Sequence, residues 1–233
     1  MADVTFIGCG AGYNPALGPN SAYFIIDKSL YLLDCGTSTF ERLVQMGVLD
    51  GMERITIFIS HLHADHIGSL GILLDYCWDI LGIRPVMVFP TNAIVQLMRG
   101  MGVSPGAFEW IGGKHYPTDG KHVSVRFLPV DHAPDIPCYA MLIDADGDRF
   151  YYSGDANDIP EDILVQLKSG TISRIYQDTA SKDSAYHCPF TRLCEKIPAA
   201  YRQQVYCMHL DAAHDPSAIL REGFQLVASD KLR

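Results

Sequence analysis

The segment His61-Leu62-His63-Ala64-Asp65-His66 places three imidazoles and one carboxylate within six residues. Zinc prefers imidazole nitrogen and carboxylate oxygen, and it needs several such ligands that converge. In an extended loop His61 and His63 point to the same side, because side chains repeat every second residue, so they can hold one ion. Asp65 and His66 lie at the turn into the next helix and can face a second ion. The pattern predicts a hydrolytic site with two divalent metal ions, Zn²⁺ first and Mn²⁺ as the alternative.

A catalytic metal also needs ligands from distant parts of the chain, and three polar residues stand where a predicted strand ends. His132 follows the strand that ends at Val130, Asp155 follows Tyr152-Ser153-Gly154, and His209 ends the strand over 205–208. In α/β folds such strand ends lie next to the ligand site. With these three residues, two ions would each have three or four protein ligands.

The elements that position these residues alternate in type along the chain. A β-branched buried strand is predicted over 54–60, directly before the histidine cluster. A buried helix is predicted from His66 to Leu81, and a hairpin is predicted over 139–153. Strands that pair locally and then alternate with helices predict an α/β fold with layered sheets and outer helices. The length fits one domain over residues 1–233.

Composition narrows the possible partners. The formal net charge is −9 and Lys/Arg-rich runs are absent, which argues against a surface that grips a long nucleic acid. No apolar run approaches the roughly 20 residues that cross a bilayer, and residues 1–8 resemble a strand more than a signal peptide. Seven scattered cysteines without a CxxC pair indicate reduced thiols. We therefore expect a cytoplasmic protein, in the host cytoplasm if it is phage-encoded.

The order of these motifs resembles the metallo-β-lactamase superfamily. The chain matches the superfamily's pattern from residue 4 to about residue 210. The pattern consists of HxHxDH after a β-branched strand, a later lone histidine, Ser-Gly-Asp and a final histidine. The resemblance implies a four-layer αββα sandwich. It also implies a ligand set: His61, His63 and His132 for the first ion, Asp65, His66 and His209 for the second, and Asp155 as the bridge between them.

Three further features look like the ribonuclease Z branch. One is a glycine-rich start over 6–12, followed by Asn20 and Ser21, which we expect to contact substrate. Another is the segment Leu33-Asp34-Cys35-Gly36-Thr37. The last is an additional histidine, His187, downstream of Asp178-Thr179-Ala180. This stretch is similar to that branch's Glu-Ala-Thr…His motif, although an aspartate replaces the glutamate and the Ala/Thr order differs.

Phosphodiester hydrolysis is the chemistry of that branch. Two metal ions can clamp the non-bridging phosphate oxygens and lower the pKa of water toward neutrality, so that a metal-bound hydroxide attacks phosphorus. Asp65 can position that water or accept its proton. His187, oriented by Asp178, is the candidate general acid for the leaving alkoxide. The alternative is that His187 only caps or flanks the helix predicted to begin near Pro189.

The interval between His132 and Asp155 distinguishes among substrates. Ribonuclease Z enzymes that process tRNA carry a long arm there, whereas these two residues are 23 positions apart and the predicted hairpin uses most of them. The chain in this respect resembles arm-less cyclic-nucleotide phosphodiesterases, including the anti-Pycsar enzymes of phages and related bacterial proteins, which degrade cCMP and cUMP. The resemblance implies hydrolysis of 3′,5′-cyclic mononucleotides to 5′-monophosphates.

The same relatives form homodimers in which a loop reaches toward the partner's active site. The glycine-rich stretch over 100–120 is the expected counterpart, a lid or dimer loop, with His115 or Tyr116 touching the nucleotide. The alternative for Tyr116 is ordinary packing.

Three other functions remain open at this point. One is a ribonuclease Z-type endonuclease that cleaves tRNA 3′ ends. Another is a thioester or lactam hydrolase, which has no evident use for a residue like His187. The last is a metal-free scaffold that binds nucleotides without hydrolysing them; such proteins usually lose ligands, whereas all seven expected ligands are present here.

Overall fold

Thirteen strands form two sheets in the computed structural model, which describes residues 2–117 and 123–228. The first sheet follows chain order: β1 (Thr5–Gly8), β2 (Ser21–Ile26), β3 (Ser29–Leu33), β4 (Arg54–Phe58), β5 (Val86–Val88) and β6 (Glu109–Ile111). The second sheet also keeps chain order from edge to edge: β7 (His115–Tyr116), β8 (Val123–Val130), β9 (Cys138–Ala145), β10 (Asp148–Tyr152), β11 (Arg174–Asp178), β12 (Val205–Met208) and β13 (Gln225–Leu226).

Seven α-helices accompany these sheets in the described part of the chain. The first four are α1 (Thr39–Gln45), α2 (Ala64–Ile67), α3 (Leu70–Asp79) and α4 (Ala93–Gly100). The other three are α5 (Glu161–Lys168), α6 (Phe190–Lys196) and α7 (Pro216–Arg221), and 3₁₀ turns lie at Pro15–Leu17 and Ala199–Gln204. No helix within residues 2–117 and 123–228 has the length and apolarity that a membrane crossing requires.

Two apolar layers hold the sandwich together. Between the sheets, Phe24 of β2 meets Phe150 of β10 edge to face at a ring separation of 5.9 Å. Outside the second sheet, Ile163 of α5, Leu193 of α6 and Ile219 of α7 are buried in a separate cluster. Burial on both faces of the second sheet explains the continuous apolar run of β12. The arrangement confirms the predicted α/β fold with helices outside two packed sheets.

Strand direction brings the predicted ligands to one edge of the sandwich. β3 and β4 are parallel in the first sheet, and β10, β11 and β12 are parallel in the second. β8 and β10 are each antiparallel to β9, so they also run the same way. The carboxyl ends of these strands lie together, and each candidate ligand follows one of them.

Two predictions about local structure were wrong. The single helix predicted from His66 to Leu81 is two helices, α2 and α3, separated at Gly68-Ser69. The Oγ of Ser69 donates to the carbonyl of Gly36, and a side chain at position 68 would collide with the carbonyl oxygen of Ala64. The stretch 100–120 is not one loop, because it contains β6 and β7; residues 118–120 lie outside the described part of the chain.

A buried ion pair fixes the beginning of the chain to the second sheet. The Arg174 guanidinium donates to Asp148 Oδ2 at 2.9 Å and to the carbonyl of Ala2 at 2.6 Å. Its Nε donates to the hydroxyl of Tyr176, and the group lies over the ring of Phe150. The Arg174 and Asp148 side chains are only 10% and 8% exposed. Both charges therefore depend on each other for compensation.

Replacing Asp148 by alanine is expected to lower the free energy of unfolding by about 3–5 kcal/mol, because it leaves the Arg174 charge buried and unpaired. Burial works to raise the pKa of Asp148, but the hydrogen bond from Ser173 and the charge of Arg174 hold it below its ordinary value of 3.8. The stabilisation that the Asp148 carboxylate provides is therefore complete above pH 3.8 and is lost as the pH falls below that value. Urea denaturation at several pH values checks both statements. Asp79→Ala, at an exposed position, should change stability by less than about 0.5 kcal/mol.

Candidate metal centre

Three histidines predicted for the first ion meet at one point. Nε2 of His61 lies 3.0 Å from Nδ1 of His63, and Nε2 of His132 lies 3.2 Å from the same atom. These three donors belong to a group whose ligand atoms all lie within 4.8 Å of one another. His61 and His63 follow β4, and His132 follows β8. The two sheets thus contribute different members of one donor set.

The donors predicted for the second ion form an adjacent group. Nε2 of His66 is 3.1 Å from Asp155 Oδ1 and 3.6 Å from Asp65 Oδ2. Nε2 of His209 is 3.3 Å from Asp155 Oδ2 and 3.4 Å from Asp65 Oδ2. Asp155 Oδ2 also lies 3.7 Å from His61 Nε2. Asp155 therefore stands between the two groups, at the position where the family resemblance implies the bridge.

Hydrogen bonds to the outer nitrogens orient four of these imidazoles. In each, Nδ1 donates to an oxygen of the protein, which leaves Nε2 directed at the centre with its lone pair available. The pairs are His61 with Ser60 Oγ at 3.1 Å, His66 with Asp34 Oδ2 at 2.9 Å, His132 with the Tyr186 carbonyl at 2.7 Å, and His209 with Asp178 Oδ1 at 3.2 Å. This is the tautomer a metal ligand requires.

Two buried atoms test whether a metal fits this donor set. His66 Nε2 and Asp155 Oδ1 approach each other, yet neither has a hydrogen-bond partner, although buried polar atoms are usually satisfied. Imidazole nitrogens and carboxylate oxygens at this density are the ligands of zinc and similar divalent ions. The residues present therefore fit divalent metal ions, which would satisfy both atoms.

The electrostatic field of the centre also favours a cation. Burial and the neighbouring His66 hold the pKa of His61 well below its usual range, and burial lowers the pKa of His63. His209 is different: burial opposes protonation, but Asp155 and the hydrogen bond to Asp178 raise its pKa to about 10. A carboxylate field that attracts a proton to a buried imidazole attracts a divalent cation for the same reason.

Asp34 supports the centre from behind, although the sequence only marked it within a resembling segment. It is fully buried, and its Oδ1 accepts from the amide of Ser60 while its Oδ2 accepts from Ser60 Oγ, Tyr152 and His66. The backbone of Asp34 has φ of 61°, in a region that a non-glycine residue rarely occupies. His209, with φ of 53°, has similar strain. Such strain concentrates at functional sites.

Replacing Asp34 by alanine is expected to weaken metal affinity by about 10- to 100-fold, because His66 then loses the acceptor that sets its tautomer and ring orientation. Titration against a competing chelator measures this. The Asp34→Asn variant keeps an acceptor oxygen and should lose less. Equal affinities of wild type and both variants would show that the Asp34–His66 hydrogen bond does not tune the site.

His187 and Asp178 form a pair at the rim of the centre. His187 Nδ1 donates to Asp178 Oδ2 at 2.8 Å, and the other oxygen of Asp178 accepts from His209. Burial disfavours protonation of His187, but the hydrogen bond to Asp178 raises the pKa of His187 above its ordinary value. A nitrogen of His187 lies within 4.8 Å of donors from His132 and Asp155. Helix α6 has Pro189 before its first residue, so His187 does not cap it.

The predicted contacts Asn20 and Ser21 occupy a different position from the one expected. Both side chains are fully buried. Asn20 donates to the Tyr152 hydroxyl at 2.9 Å, and Ser21 Oγ accepts from the Gly36 amide at 3.3 Å. They therefore support Asp34 and the loop after β3 instead of facing a substrate. The polar spacing in the sequence did not distinguish these two roles.

His115 and Tyr116, expected near the nucleotide, form the short strand β7. The Tyr116 ring is buried and packs edge to face on Phe58 at 5.3 Å, which is the packing alternative named above. His115 is exposed and lines an outer cavity with Arg126 and Arg149. In this conformation Tyr116 faces the core of its own chain.

Comparison with known proteins agrees with this geometry. The family model described as "Anti-Pycsar protein Apyc1" matches residues 2–100 and 106–232. The chain belongs to the anti-Pycsar protein Apyc1 family. A curated member from Paenibacillus harenae is 26% identical over 88% of both chains. Ribonuclease Z from Mycobacterium bovis is 26% identical over 76% of this chain and 70% of its own.

Solved structures establish the fold of this Apyc1 family member. The metallo-β-lactamase fold protein YhfI from Bacillus subtilis superposes with a TM-score of 0.76 at 18% identity, covering 96% of this chain and 94% of that one. The predicted metallo-β-lactamase αββα sandwich and the predicted family are both confirmed. Together with the clustered donors, they support a metal-dependent hydrolase.

Proposed function

We propose that this protein is a phosphodiesterase that hydrolyses 3′,5′-cyclic mononucleotides to 5′-monophosphates with two divalent metal ions. The observation that supports it most is the arrangement of two donor groups on either side of Asp155, with the His187–Asp178 pair at their rim. Metal donors alone fit many hydrolases. The added acid next to them fits a reaction whose leaving group needs a proton.

The donor geometry supports the following assignment of ligands. His61 Nε2, His63 Nδ1 and His132 Nε2 would hold one ion; Asp65, His66 and His209 would hold the other; Asp155 would bridge them. Zinc suits these ligands best and manganese is the alternative. Bound ions would supply Lewis acidity at the phosphate and lower the pKa of water between them.

The chain's own residues then divide the proton transfers. Asp65 is 22% exposed at the mouth of the site, where its carboxylate can orient the attacking water or accept its proton. Asp178 holds Nδ1 of His187, so Nε2 is the nitrogen that presents a proton to the leaving oxygen. An alkoxide is a poor leaving group, and a positioned acid accelerates its departure by about 10²–10⁴-fold. Breaking the bond to O3′ yields the 5′-monophosphate.

The interval before Asp155 favours a small substrate over tRNA. Between His132 and Asp155 the chain forms only a short loop and the β9–β10 hairpin. Neither extends into an arm, and the formal net charge of −9 opposes a phosphate-rich partner. Since ribonuclease Z proteins are among its relatives, tRNA 3′-end cleavage is the second candidate.

A homodimer remains part of the proposal. Helices α3 and α4 and the turn after α4 expose large apolar side chains, with Ile72 56%, Met101 51% and Trp78 44% exposed. We propose that these exposed apolar side chains contribute to the dimer contact. Light scattering coupled to size exclusion would test this, and a monomeric mass at micromolar concentration would contradict it.

A substrate panel tests the proposed function. Purine and pyrimidine 3′,5′-cyclic mononucleotides and a precursor tRNA are incubated with protein loaded with zinc or manganese, each with and without chelator. We expect turnover of at least one cyclic nucleotide and its loss on chelation. Cleavage of precursor tRNA without cyclic nucleotide turnover would favour the endonuclease, and turnover unaffected by chelation would exclude metal catalysis.

A further inference from the structure

An exposed aromatic ring stands beside the candidate acid. Tyr186 directly precedes His187, and it is 51% exposed, unusual for a large ring in a chain whose other tyrosines are mostly buried or partly buried. Its main chain is firmly held: its carbonyl accepts from His132 Nδ1 at 2.7 Å, and its amide donates to Ser184 Oγ at 3.0 Å. The carbonyl of Ala185 accepts from Asn157. The ring is therefore presented from a fixed backbone.

Tyr186 lines an open cavity of about 600 Å³ that also reaches His132. The loop between β8 and β9 lines the same cavity, with Pro134, Ile136 and Pro137 among its residues. Among the described residues that line it, Lys114 contributes the one cationic side chain apart from the histidine, and Asp131 contributes a carboxylate. The cavity thus combines an aromatic side chain, aliphatic side chains and charged groups next to a candidate metal ligand.

The proposed reaction requires the nucleoside to lie on this side. His187 would protonate O3′, and O3′ remains attached to the ribose, so the sugar and base extend from the acid and away from the attacking water. His187 is near His132, with ring centres 5.0 Å apart, and His132 lines the cavity. A second cavity of about 370 Å³, lined by Gly12, Arg42 and Gln45, borders Asp65 instead.

We propose that Tyr186 and the loop over 133–137, which line one cavity, form the nucleobase subsite, an inference that rests on the proposed phosphodiesterase function. The base stacks on the Tyr186 ring and is covered by the proline and isoleucine side chains of the loop. Every base has a π-face, so stacking of this kind binds purines and pyrimidines alike. The subsite therefore provides affinity for the nucleoside, while the metal centre provides the chemistry.

The test compares a cyclic nucleotide with its abasic analogue, ribose 3′,5′-cyclic phosphate carrying a methoxy group at C1′. Loss of one stacking contact should raise the KM of Tyr186→Ala for cyclic CMP about tenfold with kcat nearly unchanged. Tyr186→Phe keeps the ring and should retain the wild-type KM. For the abasic compound, wild type and Tyr186→Ala should be equal. Gln45→Ala, in the second cavity, serves as the matched control and should match wild type on both.

The outcomes separate this subsite from the reaction itself. A wild type that hydrolyses cyclic CMP while Tyr186→Ala keeps its KM overturns the subsite and leaves the phosphodiesterase intact. A raised KM in Gln45→Ala alone places the base in the second cavity and also overturns it. An equal loss on the abasic compound means that Tyr186 acts on the centre and not on the base. A wild type that hydrolyses neither compound overturns the proposed function and this subsite together.

Discussion

Replacing His187 by alanine is expected to lower kcat for cyclic nucleotide hydrolysis by about 10²- to 10⁴-fold while leaving metal content unchanged. The reason is that Asp178 holds His187 through Nδ1, so that in the proposed mechanism its other nitrogen supplies a proton to a poor leaving group. The size of the loss should depend on that leaving group. With a p-nitrophenyl phosphodiester, whose leaving group departs without a proton, we expect the loss to shrink to about tenfold or less.

Steady-state kinetics on both substrates, with metal analysis of each preparation, measure this effect. His214→Ala is the matched control, because His214 lies on the loop before α7, its Nδ1 bonds to the carbonyl of Asp211, and it belongs to neither donor group. It should retain wild-type activity. A loss in His187→Ala that is equal for both leaving groups would contradict an acid role. A fall in metal content would instead make His187 a ligand.

Replacing Asp155 is expected to remove activity almost completely. Its two oxygens face His61, His66, His132 and His209 at 3.1–3.7 Å, so among the residues that the structure describes it is the one carboxylate paired with members of both donor groups. Lewis-acid stabilisation by bound ions amounts to several kcal/mol, so its loss corresponds to a decrease in kcat/KM of about 10³-fold or more. Metal content should fall in parallel, from two equivalents toward one or none.

Asp155→Asn is the variant of choice, because it keeps the shape of a fully buried side chain. Inductively coupled plasma mass spectrometry and activity are measured on the same samples, together with circular dichroism to verify the fold. Asp79→Ala, on the exposed end of α3, should be indistinguishable from wild type. A folded Asp155→Asn variant that retains two metal equivalents and normal turnover would rule out the bridging role.

Much of the centre could be predicted from the sequence, because its ligands follow strand ends. His61 and His63 share one side of an extended segment, and His132 and His209 each follow an apolar strand, so local patterns locate them. Only the structure shows that His63 presents Nδ1 to the centre, whereas His61, His66, His132 and His209 present Nε2. That choice depends on which nitrogen the surrounding protein occupies.

The residues that sequence reasoning misplaced are those whose roles depend on packing between the sheets. Asn20 and Ser21 are polar and follow glycine, which indicates a binding loop, yet both are buried behind Asp34. Tyr116 is predicted in a loop but is buried against Phe58. Composition along one segment cannot reveal which surface the other sheet covers.

Metal-dependent hydrolysis is tested most directly by following a single cyclic nucleotide by ³¹P NMR in ¹⁸O-water, using zinc- or manganese-loaded protein. We expect the cyclic phosphodiester signal to be replaced by that of the 5′-monophosphate, with one ¹⁸O on phosphorus, and we expect chelator to prevent the change. A 3′-monophosphate product would contradict protonation of O3′ by His187. A cyclic signal that persists with every base and both metals would contradict the proposed function itself.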